Sequence, residues 1–512
     1  MKYVMIFHAN LNYAYLHPYK YEFVIRNSYE LIFDTMAENF PNTKYVFEAS
    51  GYTIEQMALL TPDVLEKLKK AIANGTCEFM GSPYAHPMLP NFPEEDGTWS
   101  FKFSMDIFEK YLGIRPKSLW NPECGWRSYV PKEALANGAH NLIGDFESYS
   151  RSKGIDGKPN RPEIYEKEFS DDPSFYSFDF KYDLPGSERA IHFPFDKIEG
   201  IEPGKLRMFL RTDRVAQFAV RYFMGMEGYT FEKYLDLIKK YSAQNEGESE
   251  GALVIFADDA EYVGTNGWFR LKYQNKPDNV FEKSPDSREK LIELVTAVEK
   301  LGQFITYDDA CNLEPMKETL NFDDDAAWHG ARASTWASTP MARILRPWQD
   351  LVREKLHEIK DTLSEKTIEQ VWYHLTNSFN SDGQWPPTLP HAPHIIFPFN
   401  YKYCFDNLLA AEVLVGGVDR SRLTSSPLDT IKEILTIQQD LVLKKAKTLV
   451  ENGTDEEKEN AKNAIYLIES SRNLDSIKSA SDKLLYPSDY EVRANALIQA
   501  RRLVGGVVLE QV

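Results

Sequence analysis

ALVIFADDAEYVG (252–264) is an apolar run that stops at a cluster of acidic residues, and six other short apolar runs precede it: KYVMIFH (2–8), YVFEAS (45–50), CEFMGS (77–82), SLWNPE (118–123), NLIGDF (141–146) and KLRMFLR (205–211). Helically spaced segments lie between most of them, at 20–39, 54–73, 98–112 and 231–243. Strand–helix alternation on this scale predicts an α/β fold, a parallel sheet with helical crossovers. About seven repeats, with an eighth candidate strand at QFITYD (303–308), suit a barrel better than an open sheet. The stretch from Asp145 to about Gly204 is irregular and rich in Gly, Pro, Lys and Asp. It reads as an insertion over the barrel mouth, with a short extended piece at AIHFPFD (190–196). QNEGESEG (244–251) reads as a polar loop feeding the strand at 252.

After NFDDDAAWHG (321–330) the texture changes. Segments 341–363, 366–378, 403–415, 427–452, 455–471 and 488–503 carry helical spacing with charged outer faces. The expected organisation is a catalytic barrel over 1–315, with its insertion at about 145–204, and an all-helical domain over 316–512.

The 512 residues suffice for two or three structural units. Aromatic residues make up 13% of the chain, which suits a large core and also a cleft where sugar rings stack. The net charge of −18 opposes binding to nucleic-acid phosphates or anionic membranes, and no basic stripe overrides it. A neutral substrate such as an uncharged glycan fits this balance. MKYVMIFHAN breaks its apolar run at His8 and lacks the core of a signal peptide, and no run approaches the roughly 20 apolar residues of a membrane span. Cys77, Cys124, Cys311 and Cys404 are scattered and read as buried thiols in a reducing cytoplasm, so a cytoplasmic location is expected.

In a parallel barrel, function gathers at the C-terminal strand ends. Strand one ends at His8. Strand three runs into SPYAHPMLP, with Tyr84 and His86. Strand four presents Glu123 between Trp120 and Trp126, and the last strand presents Asp258, Asp259 and Glu261. Two carboxylates from facing strands are what glycoside cleavage needs. Successive strand residues point to opposite faces, so only one of Asp258 and Asp259 aims at the barrel axis, and Asp259 and Glu261 share a direction if the chain stays extended. Blander readings exist: each histidine as a satisfied core residue, and the acidic cluster as a helix N-terminus. His391 and His394, in LPHAPH, read as a rigid Pro-rich loop.

These residues, in this order, resemble family 57 of the glycoside hydrolases, which act mainly on α-glucans as amylases, 4-α-glucanotransferases, branching enzymes and amylopullulanases. FHANLNY looks like the first motif, placing His8, and FEASGYTIEQM resembles the Ser-Gly segment that follows. GTCEFMGSPYAHPMLP matches the second motif, with His86 as a substrate contact, and RPKSLWNPECGW the third, whose glutamate is the nucleophile, here Glu123. LRMFLRTDRVAQFAVRYF resembles the Arg-Asp segment, around Arg211 and Asp213. FADDAEYVG matches the fourth motif, with Asp259 as acid/base and Glu261 in support, and AAWHGARASTW the fifth, with Trp328 and His329. Departures are AlaAsn after His8 in place of Gln-Pro, Val263 where an aromatic is common, and ThrAsn after Gly264.

The resemblance implies an incomplete seven-stranded barrel and a helical domain that contributes to the cleft. It implies retention of configuration on an α-glucan or maltooligosaccharide, by hydrolysis or transfer, without metal or organic cofactor. NSFNSDGQWPP (377–387) adds Asp382 and Trp385 as a candidate sugar hydrogen-bonder and stacking platform. Two other readings compete: a metal-dependent polysaccharide deacetylase or mannosidase on a related barrel, and a non-catalytic glycan-binding protein.

Overall fold

The computed structural model describes residues 1–13, 16, 18–154, 156–169, 180, 183–184, 188–243, 250–266, 281–384, 398–424 and 427–478, with a few positions between 493 and 504. The chain divides into two compact units: Met1–Gly267, Phe281–Ser338 and Phe379–Asp382 form the first, and Trp268–Val280, Thr339–Ser378 and Gly383–Val512 the second.

The apolar runs become the strands of the first unit: β1 (Lys2–Ala9), β2 (Tyr45–Ser50), β3 (Cys77–Ser82), β4 (Ser118–Leu119), β5 (Asn141–Asp145), β6 (Arg207–Arg211), β7 (Ala252–Asp259) and β8 (Gln303–Phe304). Pairing is parallel in the order β6-β5-β4-β3-β2-β1-β7, with β8 joining β1 beside this path. The sheet nearly closes into a barrel. Its end strands β6 and β7 are tied by a side chain, since Arg211 Nε donates to the Ala257 carbonyl at 3.0 Å. β1, β2 and β7 are buried almost throughout, as strands covered on both faces must be. Register sets Met80, Glu48, His8 and Asp259 in one row across β3, β2, β1 and β7.

The structure departs from the sequence reading where local chemistry interrupts a pattern. β4 stops at Leu119, because Pro122 opens a tight 3-10 turn. The helix expected over 54–73 is two, Gly51–Leu60 and Pro62–Ala73, with Pro62 starting the second where its missing N–H costs nothing. The expected helix 20–39 contains a π-helical turn, Ile25–Tyr29. QFITYD is strand only at its start. Thr306 and Asp309 then form a reciprocal capping box that opens a helix, Tyr307–Cys311. AIHFPFD forms turns instead of an extended piece, and its sheet contact is a bridge from Phe195 to Met208.

A two-stranded antiparallel ribbon, β9 (Ala326–Ala327) and β10 (Ala331–Arg332), completes the strands of this unit among the described residues. The second unit is helical: Pro340–Ile359, Glu365–Asn377, Pro398–Leu414, Pro427–Asn452 and Asp455–Lys478. In the first of these, Leu345, Trp348, Val352 and Leu356 recur at three and four residues and are all buried. His391, His394 and most of 488–503 lie outside the described residues.

Candidate active site

The row across the barrel rim is the base of the site. His8 Nδ1 meets Glu48 Oε2, and both side chains are buried. The His8 ring stacks on Trp120 at 4.8 Å and lies 5.1 Å from the His86 ring. Trp328 closes on Trp120 edge to face at 6.2 Å. Burial alone would lower His8, but Glu48, with Asp259 and Glu261 behind it, holds the imidazolium up to about 10. His86 goes the other way, well below its usual value, through burial and the neighbouring charge of His8. One ring is charged and the other neutral.

Beyond β4 the chain turns so sharply that Glu123 (φ 57°) and Cys124 (φ 46°) adopt the left-handed conformation. Such geometry costs on the order of 1–3 kcal/mol per residue outside glycine. The turn is held from several sides. Trp328 N donates to Glu123 O at 2.7 Å, Trp126 N donates to Ala326 O at 2.8 Å, and Asn121 Nδ2 donates to Gly125 O. The Glu123 side chain is buried and accepts from the Ser381 hydroxyl at 2.8 Å. Burial pushes its carboxyl well above the usual value, as does Asp382, while Ser381 and His8 oppose the rise.

At the end of β7 the two aspartates part as strand parity requires. Asp258 accepts from Gln217 Nε2 at 2.8 Å and lies 3.7 Å from Arg211 Nη2. Asp259 belongs to the row with His8. Its carboxyl is raised well above the usual value by burial, then by Asp258 and Glu261, with His8 opposing. The chain does not stay extended to Glu261, which begins a short helix, Glu261–Gly264. Its carboxylate accepts from Asn10 N at 2.9 Å and from the Tyr29 hydroxyl, and burial holds it up at about 7. Tyr29 arrives on the π-helical turn, a local geometry that recurs at functional sites. Gly264 lets that turn approach, since a Cβ there would lie 1.8 Å from Asn27 O.

Asn380, Ser381 and Asp382 form the remaining wall. Ser381 N donates to His86 O at 2.9 Å, the Ser381 hydroxyl lies 3.0 Å from His86 Nδ1, and Asn10 Nδ2 donates to Asp382 Oδ2 at 2.8 Å. His86, Glu123 and Asp382 each offer a ligand atom, all within 4.8 Å of one another, and are the residues here that could hold a cation. Several buried polar atoms have no protein partner among the described residues: Asn10 Oδ1, Glu48 Oε1, His86 Nε2, Trp120 Nε1 and Glu261 Oε2. Unpaired groups of this kind cost free energy unless a ligand or solvent meets them.

A second cluster occupies the β5–β7 side. Arg211 is fully buried and reaches Asp145 at 3.0 Å and Asp213 at 2.7 Å, and His329 Nδ1 lies 3.0 Å from Asp213. Burial would raise Asp213, but Arg211 and His329 hold it down to about 2. Glu147 accepts from Thr212 and Arg214 alongside.

The structure therefore brings together His8, His86, Trp120, Glu123, Asp259, Glu261, Trp328 and Asp382. It pairs Asp213 and His329 with each other and with Arg211, and packs Trp126 on Phe322 at 5.0 Å. Trp385 lies outside the described residues. Glu48, Asn10, Tyr29 and Ser381 are members the sequence reading does not single out. Glu48 had a usable signal, an acidic residue near the end of an apolar strand. Ser381 had none, being 258 residues from Glu123.

The model of the glycosyl hydrolase family 57 matches residues 2–321. The chain is 24% identical over 258 residues to an α-amylase of Pyrococcus horikoshii, covering 50% of this chain and 34% of that one. It is 25% identical over 272 residues to a 4-α-glucanotransferase of Thermococcus litoralis, covering 53% and 34%. These alignments span about a third of each relative's own length. A family 57 branching enzyme of Thermococcus kodakaraensis superposes with a TM-score of 0.58 at 10% identity, over 85% of this chain and 94% of that one, a likeness of fold. Among the described residues, no helix is long and apolar enough to cross a membrane.

Proposed function

The chain belongs to glycosyl hydrolase family 57, and from that premise we propose that it cleaves or transfers α-glucosyl units with retention of configuration, using Glu123 as nucleophile and Asp259 as acid/base. The observation that carries this reading is that two buried carboxyls, Glu123 and Asp259, share one rim and both face His8. Burial raises both. At Glu123 the neighbouring Asp382 adds to the rise while the Ser381 hydroxyl and His8 oppose it, and at Asp259 the like charges of Asp258 and Glu261 add to the rise while His8 opposes it. Double displacement needs one ionised and one protonated carboxyl, and the hydroxyl that Ser381 donates to Glu123 favours Glu123 as the ionised member.

In the first step Asp259 gives its proton to the glycosidic oxygen while Glu123 attacks the anomeric carbon and the leaving chain departs. In the second, Asp259 takes a proton from water or from a sugar hydroxyl, which then displaces Glu123. Trp120 and Trp328 supply apolar faces for sugar rings. Neutral His86, charged His8, Glu261 and Asp382 present polar atoms to sugar hydroxyls. Asp213 and His329 act from behind, through Arg211. An α-glucan substrate is supported by the activities named for the α-amylase and 4-α-glucanotransferase relatives.

Incubation with maltoheptaose tests the reading. Longer and shorter products together signify transfer, and shorter ones alone signify hydrolysis. Unchanged activity in Glu123→Gln sinks the nucleophile assignment. The closeness of His86, Glu123 and Asp382 favours one second reading, a metal-dependent hydrolase. Stoichiometric zinc by elemental analysis, with activity lost on chelation, would establish that instead.

A further inference from the structure

Glu48 has no part in the two steps above, yet it is fully buried near the end of β2 and its carboxylate is directed at one partner, His8. A carboxylate so placed is tolerated only against a cation or strong donors. The sheet register explains the partnership, because Glu48, His8 and Asp259 are lateral neighbours on β2, β1 and β7. Neighbours in one row of a parallel sheet project to the same face. The His8 ring is therefore gripped at Nδ1 by Glu48, supported on its face by Trp120, and flanked by Asp259. Its other ring nitrogen has no protein partner among the described residues.

We propose that Glu48 is a positioning residue of the reaction site, which clamps His8 through Nδ1 and keeps it as an imidazolium between Glu48 and Asp259. The inference rests on the reading of Glu123 and Asp259 as the reacting pair. The groups facing His8 are Glu48 from β2, Asp259 and Glu261 from the end of β7 and the helix after it, Glu123 from the turn after β4, and neutral His86 from the loop after β3. His8 is the cation among them, and its charge lowers both Glu123 and Asp259. Glu48 thus acts on both reacting carboxyls through His8.

The test uses the full chain with nitrogen-15-labelled histidine, the His8 signal being identified by its loss in His8→Gln. In the wild type the ring carries both protons from about pH 6 to about pH 9, whereas in Glu48→Gln it loses one as pH rises, with a midpoint below about 7. With maltoheptaose, both limbs of the kcat/KM profile move to higher pH in Glu48→Gln, by at least about half a unit. Glu48→Asp, which keeps the charge, restores the wild-type limbs at a reduced rate. A neutral His8 ring at pH 7 in the wild type overturns the proposal, and so does a Glu48→Gln profile that superimposes on the wild type. Should Glu48→Gln fail to fold, the wild-type ring and Glu48→Asp decide the matter. Wild-type protein that leaves maltoheptaose unchanged removes the reading of function, while the ring protonation still decides the role of Glu48.

Discussion

Two clusters of buried charge share the rim of one barrel and are built on opposite plans. On the β5–β7 side, Arg211 lies among Asp145, Asp213 and Asp258, and His329 meets Asp213 from the far side. On the β1–β4 side, Glu48, Glu123, Asp259 and Glu261 surround His8, Asp382 stands beside Glu123 and His86, and buried polar atoms are left unmet. Adjacent aspartates on β7 serve the two plans separately, Asp258 in the first and Asp259 in the second. The contrast teaches how to separate scaffold from chemistry: where buried carboxylates share an arginine that also bridges two strands, the cluster holds the sheet together, and where they gather round one histidine, protons are available to move.

The contrast breaks most visibly at Glu123. Glu123→Gln should lower turnover of maltoheptaose at least about a thousandfold, or about 4 kcal/mol in barrier, with little change in melting temperature. Arg211→Met should act first on stability. It strands buried carboxyls and unties β6 from β7, for a loss of about 3–5 kcal/mol in chemical denaturation.

The pH dependence of stability sharpens the same division. Asp213 is held down at about 2 by Arg211 and His329 against burial, below its usual 3.8. A depressed carboxyl contributes stability that is complete above the unfolded value and lost as pH falls through the folded one. Asp213 should therefore add about 2 kcal/mol above pH 4, lost between about pH 4 and pH 2. Acid titrations of Asp213→Asn should lack that step. The smallest effect belongs to Trp126, which packs on Phe322. Trp126→Phe should change kcat/KM less than about threefold, whereas Trp120→Phe, removing the support of His8, should exceed about tenfold.

Much of this was legible in the sequence because buried parallel strands leave continuous apolar runs, and those at 45–50 and 77–82 became strands without adjustment. Strand parity likewise parted Asp258 from Asp259. Where the reading fell short, the cause was a partner out of view. Asp213 and His329 stand in recognisable positions, but only folding reveals that they meet each other and Arg211. Glu261 does not point along an extended strand because a helix starts under it, and its partner Tyr29 depends on a π-helical turn that no periodicity announces. Glu48 lies within an apolar run, where an acidic residue is easily passed over as a strand end.

The left-handed backbone at Glu123 has an evolutionary corollary. A glycine there would relax the turn, and an asparagine would tolerate it better than glutamate does. Replacements that destroy the proposed nucleophile thus include ones that favour the folded state. Laboratory selection for heat resistance alone would drift toward inert variants at this position, and only a screen that also demands turnover would retain the acid. Glutamate at 123 is therefore a residue that backbone stability by itself would not choose.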